Sequence, residues 1–183
     1  MQAKILKRIV TALLLSLFVL GPAQAQSTED ALLEQLRDAP EKEAKRLERE
    51  LSLIWDRSGS ASMDLLLKRG REALEEEDNT RAIEHFSALI DHAPEFAEGW
   101  HARATAYFRA GLYGPALDDL QRALILNPNN YNALFGLGVM FQEFGDTARA
   151  AEAFDRVLDI HPNHARAKEA RKRLIGRGIN ETL

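Results

Sequence analysis

The spacing of apolar residues changes character along this chain. A basic segment with Lys4, Lys7 and Arg8 leads into the twelve-residue apolar run "IVTALLLSLFVL" from Ile9 to Leu20. From residue 26 onward, apolar positions recur every three or four residues, the period of a helix that buries one face. "TEDALLEQLRDA" and "EKEAKRLERELSLIWDR" each predict an amphipathic helix, separated at Pro40. On the second of these, Leu47, Leu51, Ile54 and Trp55 fall on one stripe. "SGSAS" at 58 to 62 predicts a hinge, and helical segments separated by short polar turns follow it.

Those later segments repeat. Pro94, Pro128 and Pro162 stand 34 residues apart, and so do Ala82, Ala116 and Ala150. The same offset relates Phe86, Leu120 and Phe154, then Leu66, Trp100 and Leu134, then Ala73, Tyr107 and Phe141. Gly70, Ala104 and Gly138 form a column of small residues. A period of 34 in these residue types marks an array of helix-turn-helix units. Each proline ends a second helix, because it lacks the backbone N–H and restricts the residue before it. Asn130 is placed to N-cap the helix that begins near Tyr131. The small residues allow helices to approach closely, and the aromatic columns fill the space between hairpins that cannot bury their own apolar faces.

These columns resemble the tetratricopeptide repeat family over residues 63–96, 97–130 and 131–164. The third repeat carries the pattern best, with Leu134, Leu137, Gly138, Phe141, Ala150, Phe154 and Pro162 in place. The first departs from it, with Arg69 and Ala73 where a leucine and an aromatic residue are usual. The expected architecture is all-α: a right-handed α-solenoid of three hairpins over 63–164. Residues 26–60 supply N-terminal helices and a hinge, and 165–183 a polar capping helix and tail. The N-terminal pair is expected to pack on the first repeat, with a separate docking helix as the alternative.

Residues 1–25 have the parts of a secretory signal peptide: a basic start, a short apolar core, and Ala23 and Ala25 at the −3 and −1 positions. The apolar run is shorter than the ~20 residues of a spanning helix. Export to the periplasm of a Gram-negative cell, with a mature N-terminus at Gln26, is the expectation. An uncleaved inner-membrane anchor is the alternative. Cleavage removes three positive charges and no negative ones, taking the net charge from −4 to −7. Such an acidic chain argues against nucleic acid, which demands clustered Lys and Arg, and against an anionic membrane surface after cleavage.

The sequence offers little catalytic chemistry. With no cysteine, disulfides, thiolate metal sites and a cysteine nucleophile are excluded. G-x-S-x-G, H-E-x-x-H and P-loop motifs are missing. His161 and His164 are three apart but straddle Pro162 in a turn that holds no carboxylate. No cofactor or metal is expected, and the chain reads as a non-enzyme.

The repeat array is therefore the functional element. The resemblance implies that the first helix of each hairpin lines a concave groove that binds a protein or peptide. Carried over by repeat position, that groove receives the charged and polar residues Asp64, Lys68, Arg71, Glu98, His101, Thr105, Arg109 and Asn132. It also receives Leu67, Phe108, Phe135, Gly136 and Val139. Arg71 and Arg109 are expected to be exposed there. Chaperone-adaptor members hold a terminal carboxylate with a Lys and Asn clamp. Leu67, Arg71, Ala102, Asn132 and Gly136 stand at the matching positions, which argues against C-terminal chaperone peptides. The expected role is a periplasmic protein-binding adaptor, with a monomer favoured. The alternative is a structural subunit of an envelope assembly that docks or dimerises through its N-terminal helices.

Overall fold

The computed structural model describes residues 21 to 181, with side chains from 28 to 176. Residues 1 to 20, which hold the basic start and apolar run of the expected signal, lie outside it. Among the described residues there are nine helices and no strand. The first two, α1 (Gly21–Asp38) and α2 (Glu41–Trp55), form a hairpin about Pro40. Three further hairpins follow: α3 (Ala61–Glu75) with α4 (Asn79–His92), α5 (Ala97–Arg109) with α6 (Tyr113–Leu126), and α7 (Tyr131–Glu143) with α8 (Thr147–Ile160). The last helix, α9 (Ala165–Glu181), packs on α8.

Local chemistry accounts for the hairpin boundaries. The side chains of Asp78, Asn130 and Asp146 accept backbone N–H groups in the first turns of α4, α7 and α8. Each such bond satisfies a donor that the helix leaves unpaired. The turns within the three hairpins need one residue at positive φ, and Gly111 and Gly145 supply it at 75° and 76°. The first hairpin uses Glu77 at the same repeat position, with φ of 60°.

The small-residue column is paired to a second column. A Cβ on Gly138 would lie 2.5 Å from the ring of Phe154, and one on Gly70 would collide with Phe86 in the same way. In the middle hairpin the partner is the slimmer Leu120, and there Ala104 fits, fully buried in the same core. Phe86 and Phe154 are themselves completely buried. Volume is thus conserved across each helix pair, as close-packed interiors require.

The N-terminal hairpin departs from the expected arrangement. It packs on the third repeat and the cap, not on the first repeat. Leu33, Leu36, Leu47, Leu51 and Trp55 share one core with Tyr131, Leu134, Val157, Ile160 and Ala167. Polar bonds fix the same seam: Asn163 donates to the Ala39 carbonyl at 2.7 Å, and Glu48 lies 2.6 Å from His161. From there α2 runs back along the edge that carries the inter-repeat turns. Its end reaches the first repeat through ions, where Asp56 takes a two-pronged contact from Arg71 at 2.7 and 2.8 Å. The third repeat offers Tyr131, Val157 and Ile160 to this seam, and at the matching positions of the first repeat stand Met63, Leu89 and His92.

Candidate binding groove

The first helices α3, α5 and α7 lie side by side, and α2 walls the edge beside them. Between them lies an apolar cleft of about 330 Å³, lined by Phe108, Phe135, Val139 and Met140 with His101 and Thr105. Gly136 leaves it open, because its absent Cβ would meet only Leu120 at an ordinary 3.4 Å. Asn132 joins this cleft to two more polar ones. One, of about 250 Å³, is bounded by Ser52, Trp55, Asp56 and Arg71. The other, of about 510 Å³, lies between α2 and the start of α9.

The sequence-expected residues divide into groups. His101, Thr105, Phe108, Asn132, Phe135, Gly136 and Val139 line the apolar cleft. Arg71 and Glu98 line the adjoining polar one. Leu67 is a correction: it is 2% exposed, inside the core of the first hairpin, and has no groove surface to offer. Asp64 is turned to the hinge, where it accepts from the backbone N–H and hydroxyl of Ser58. Lys68 is solvent-exposed, 3.6 Å from Glu72. Arg109 donates to the Leu74 carbonyl at 2.9 Å, tying α5 to α3.

Arg71 is a second correction, since it is not a free surface charge. Besides Asp56 it donates to Glu98 at 2.8 Å. Glu98 also lies 3.1 Å from His101 Nδ1, and Asn130 donates to it at 3.5 Å. Burial pushes the Glu98 carboxyl up, yet His101 and Arg71 together outweigh burial and hold it below the usual value. Arg71→Glu would set a third carboxylate against Asp56 and Glu98, so its first effect would fall on the fold.

What sequence reading missed comes from other elements. Arg166, from α9, lines the apolar cleft and holds its guanidinium 4.4 Å from the Phe135 ring centroid. Asp56 and Ser52 come from the N-terminal hairpin. The turn of His161 and His164 holds no carboxylate of its own, but the fold brings Glu48 to His161 across 113 residues. His164 instead accepts the Ala167 backbone N–H at Nδ1, capping α9. Among the described residues, no group of three or more His, Asp or Glu side chains is gathered to hold a metal.

His164 makes acid stability measurable. Burial lowers its pKa first, with His161 and Arg166 adding to that and Glu48 opposing, to about 4 from 6.5. The unfolded chain then binds the extra proton between those values, so this contribution is whole above pH 6.5 and is lost as pH falls toward 4. The loss amounts to at most about 3 kcal/mol. Asn in its place keeps a capping acceptor and removes the titration. Urea melts of His164→Asn should therefore fall less steeply than wild type from pH 6.5 to 4; parallel curves would assign the acid loss elsewhere.

Comparison with known proteins fits this architecture. The family model described as Tetratricopeptide repeat matches residues 67–124 and 101–165. This chain belongs to the tetratricopeptide repeat family. A TPR repeat-containing protein of Rhizobium etli is 33% identical over 141 residues, covering 76% of this chain and 69% of that one. The human protein SGT1 homolog is 28% identical over 120 residues, 64% of this chain but 33% of its own length. Among solved structures, MamA superposes with a TM-score of 0.60 at 27% identity, over 65% of this chain and 70% of that chain. The first TPR of Spaghetti (RPAP3), bound to the HSP90 peptide SRMEEVD, gives 0.61 at 23% identity, over 63% and 91%. The all-α solenoid is common to this chain and the two solved structures. In this TPR chain the groove is flanked by a helical hairpin packed on the last repeat.

Proposed function

We propose that this protein is a non-catalytic adaptor that holds a peptide or protein segment in the cleft between α2 and the first helices of its repeats. The observation that carries the reading is the apolar cleft itself: half-buried Phe108, Phe135 and Val139 stand around a glycine that leaves their surfaces uncovered. Apolar anchors in such a groove, oriented by a few polar groups, are the mode in which helical or extended segments are bound. Structurally similar TPR domains solved with an HSP90 peptide and an HSP70 peptide support the same class of ligand. The reading of residues 1 to 25 as an export signal supports placing the adaptor in the periplasm. The assembly-subunit alternative would need the apolar stripe of α2, and Leu47, Leu51 and Trp55 are already buried against the third repeat.

The protein is expected in the periplasmic fraction with an intact mass that begins at Gln26, and exported protein that still carries residues 1 to 25 would overturn the processing. Gly136→Leu fills the cleft and also removes a helix-interior glycine, so the fold should hold or gain. Partners crosslinked to wild type should bind this variant at least about tenfold more weakly. Ile125→Ala, at a position 71% exposed, is the control. Equal binding by Gly136→Leu and wild type would place recognition outside the cleft.

A further inference from the structure

The charges around the groove are unevenly satisfied. In the cleft between α2 and α9, Glu41 is paired with Lys45 at 3.1 Å, and the carboxylate of Glu48 is hydrogen-bonded to His161 Nε2 at 2.6 Å. Arg49 and Arg166 line the same cleft, and neither has an ion-pair partner among the described residues. Both are solvent-exposed. The lower end of the groove is different, because Arg71 there is answered by Asp56 and Glu98. A chain of net charge −4 thus keeps two uncompensated guanidinium groups at one end of its binding cleft.

Arg166 also links that end to the apolar cleft. Its guanidinium lies over the Phe135 face, 4.4 Å from the centroid, and it lines both spaces. Among the described residues no oxygen accepts from that guanidinium, so its N–H donors remain available. Those donors suit a carboxylate, which arginine can grip with two parallel bonds. Asn132 and Asn163 add amide groups to the same walls.

We propose that the ligand is an acidic peptide segment. One apolar side chain enters the Phe108–Phe135–Val139 cleft, and a neighbouring Asp or Glu is held between Arg49 of α2 and Arg166 of α9. This rests on the groove reading above and adds the chemistry of the ligand to it. The carboxylate grip comes from the N-terminal hairpin and the cap, outside the repeats themselves. It also gives the hairpin a role: by packing on the third repeat, α2 brings Arg49 across the cleft from Arg166. Complementary charge of this kind sets selectivity and encounter rate more than raw affinity.

The experiment passes three synthetic pools of peptides over the immobilised full chain. Every peptide has one central Leu or Phe, and its flanks carry Asp and Glu, or Asn and Gln, or Lys and Arg. Wild type should retain the acidic pool about tenfold over the amide pool at low salt, with the margin shrinking as salt rises. Arg49→Gln with Arg166→Gln should bring the acidic and amide pools within about threefold of each other, at an unchanged melting temperature. Gly136→Leu should retain no pool. Amide peptides retained by wild type as well as acidic ones, or a margin that survives the double variant, would overturn the carboxylate grip while leaving the groove reading intact. Preference for the basic pool would overturn it in the same way. Retention of no pool by wild type would overturn both.

Discussion

Ala116→Arg should cost about 3–5 kcal/mol, the scale of an uncompensated buried charge. Ala116 is fully buried on α6, in a core with Ala104, Leu120, Ala123, Ala133 and Met140. Its methyl group is enclosed by those neighbours, so a long side chain overpacks the site as well. A domain of this size has only about 5–15 kcal/mol in total. The variant should therefore melt far lower or fail to accumulate as folded protein. Ala110→Arg provides the comparison, because Ala110 caps α5 in solvent and should shift stability by no more than about 0.5 kcal/mol. Thermal melts of the pair, followed by circular dichroism, decide it. Indistinguishable melts would mean that residue 116 is not at a helix contact, and the register of the repeats would be wrong.

Trp55→Ala should release the N-terminal hairpin while the repeats stay folded. Trp55 packs edge-on against Tyr131 with centroids 5.2 Å apart. Its indole N–H donates to Glu29 at 2.7 Å, and Glu29 also accepts from Asn127, 98 residues away. One side chain thus joins α1, α2 and the turn before α7. Truncating a buried tryptophan costs about 3–5 kcal/mol. The first two hairpins have cores that do not include the N-terminal hairpin, and the third keeps Ala150 and Phe154 packed with the cap while Tyr131, Leu134, Val157 and Ile160 lose their cover, so the loss should centre on the hairpin and its seam. Hydrogen exchange should show protection falling across residues 28 to 55 and persisting in α5 to α8. Unchanged protection in α2 would show that the hairpin is held without Trp55. Because Arg49 rides on this hairpin, the same variant should also lose the preference for acidic peptides.

The two variants probe different kinds of information. Ala116 was readable in advance, because a repeat states its own register. The 34-residue spacing of Pro94, Pro128 and Pro162 located the turns, and the small columns located the helix contacts. Each hairpin interacts chiefly with itself and its neighbours, so short-range pattern is sufficient there. The N-cap role of Asn130 was legible for the same reason, since capping involves residues two and three positions away.

The N-terminal hairpin shows where such reading stops. Its apolar stripe was visible in Leu47, Leu51, Ile54 and Trp55, but a stripe states only that something covers it. That cover is Tyr131, Leu134, Val157 and Ile160, roughly 80 to 110 residues further along the chain, and periodicity has no term for a pairing at that range. The groove was mixed in the same way. Phe108, Phe135, Gly136 and Val139 could be projected from repeat position alone. Leu67 could not be separated from core, because in the first hairpin that position turns inward. Arg71 changed character once Asp56 was brought to it by the hairpin, and Arg166 entered only when α9 folded back beside α7. Short-range pattern is enough to place the repeats, their turns and the class of surface they form. The tertiary structure decided which surface the hairpin covers, and therefore which charges at the groove are answered and which stand free. Charge pairing depends on distance in space, and here that distance is closed by contacts between the two ends of the chain.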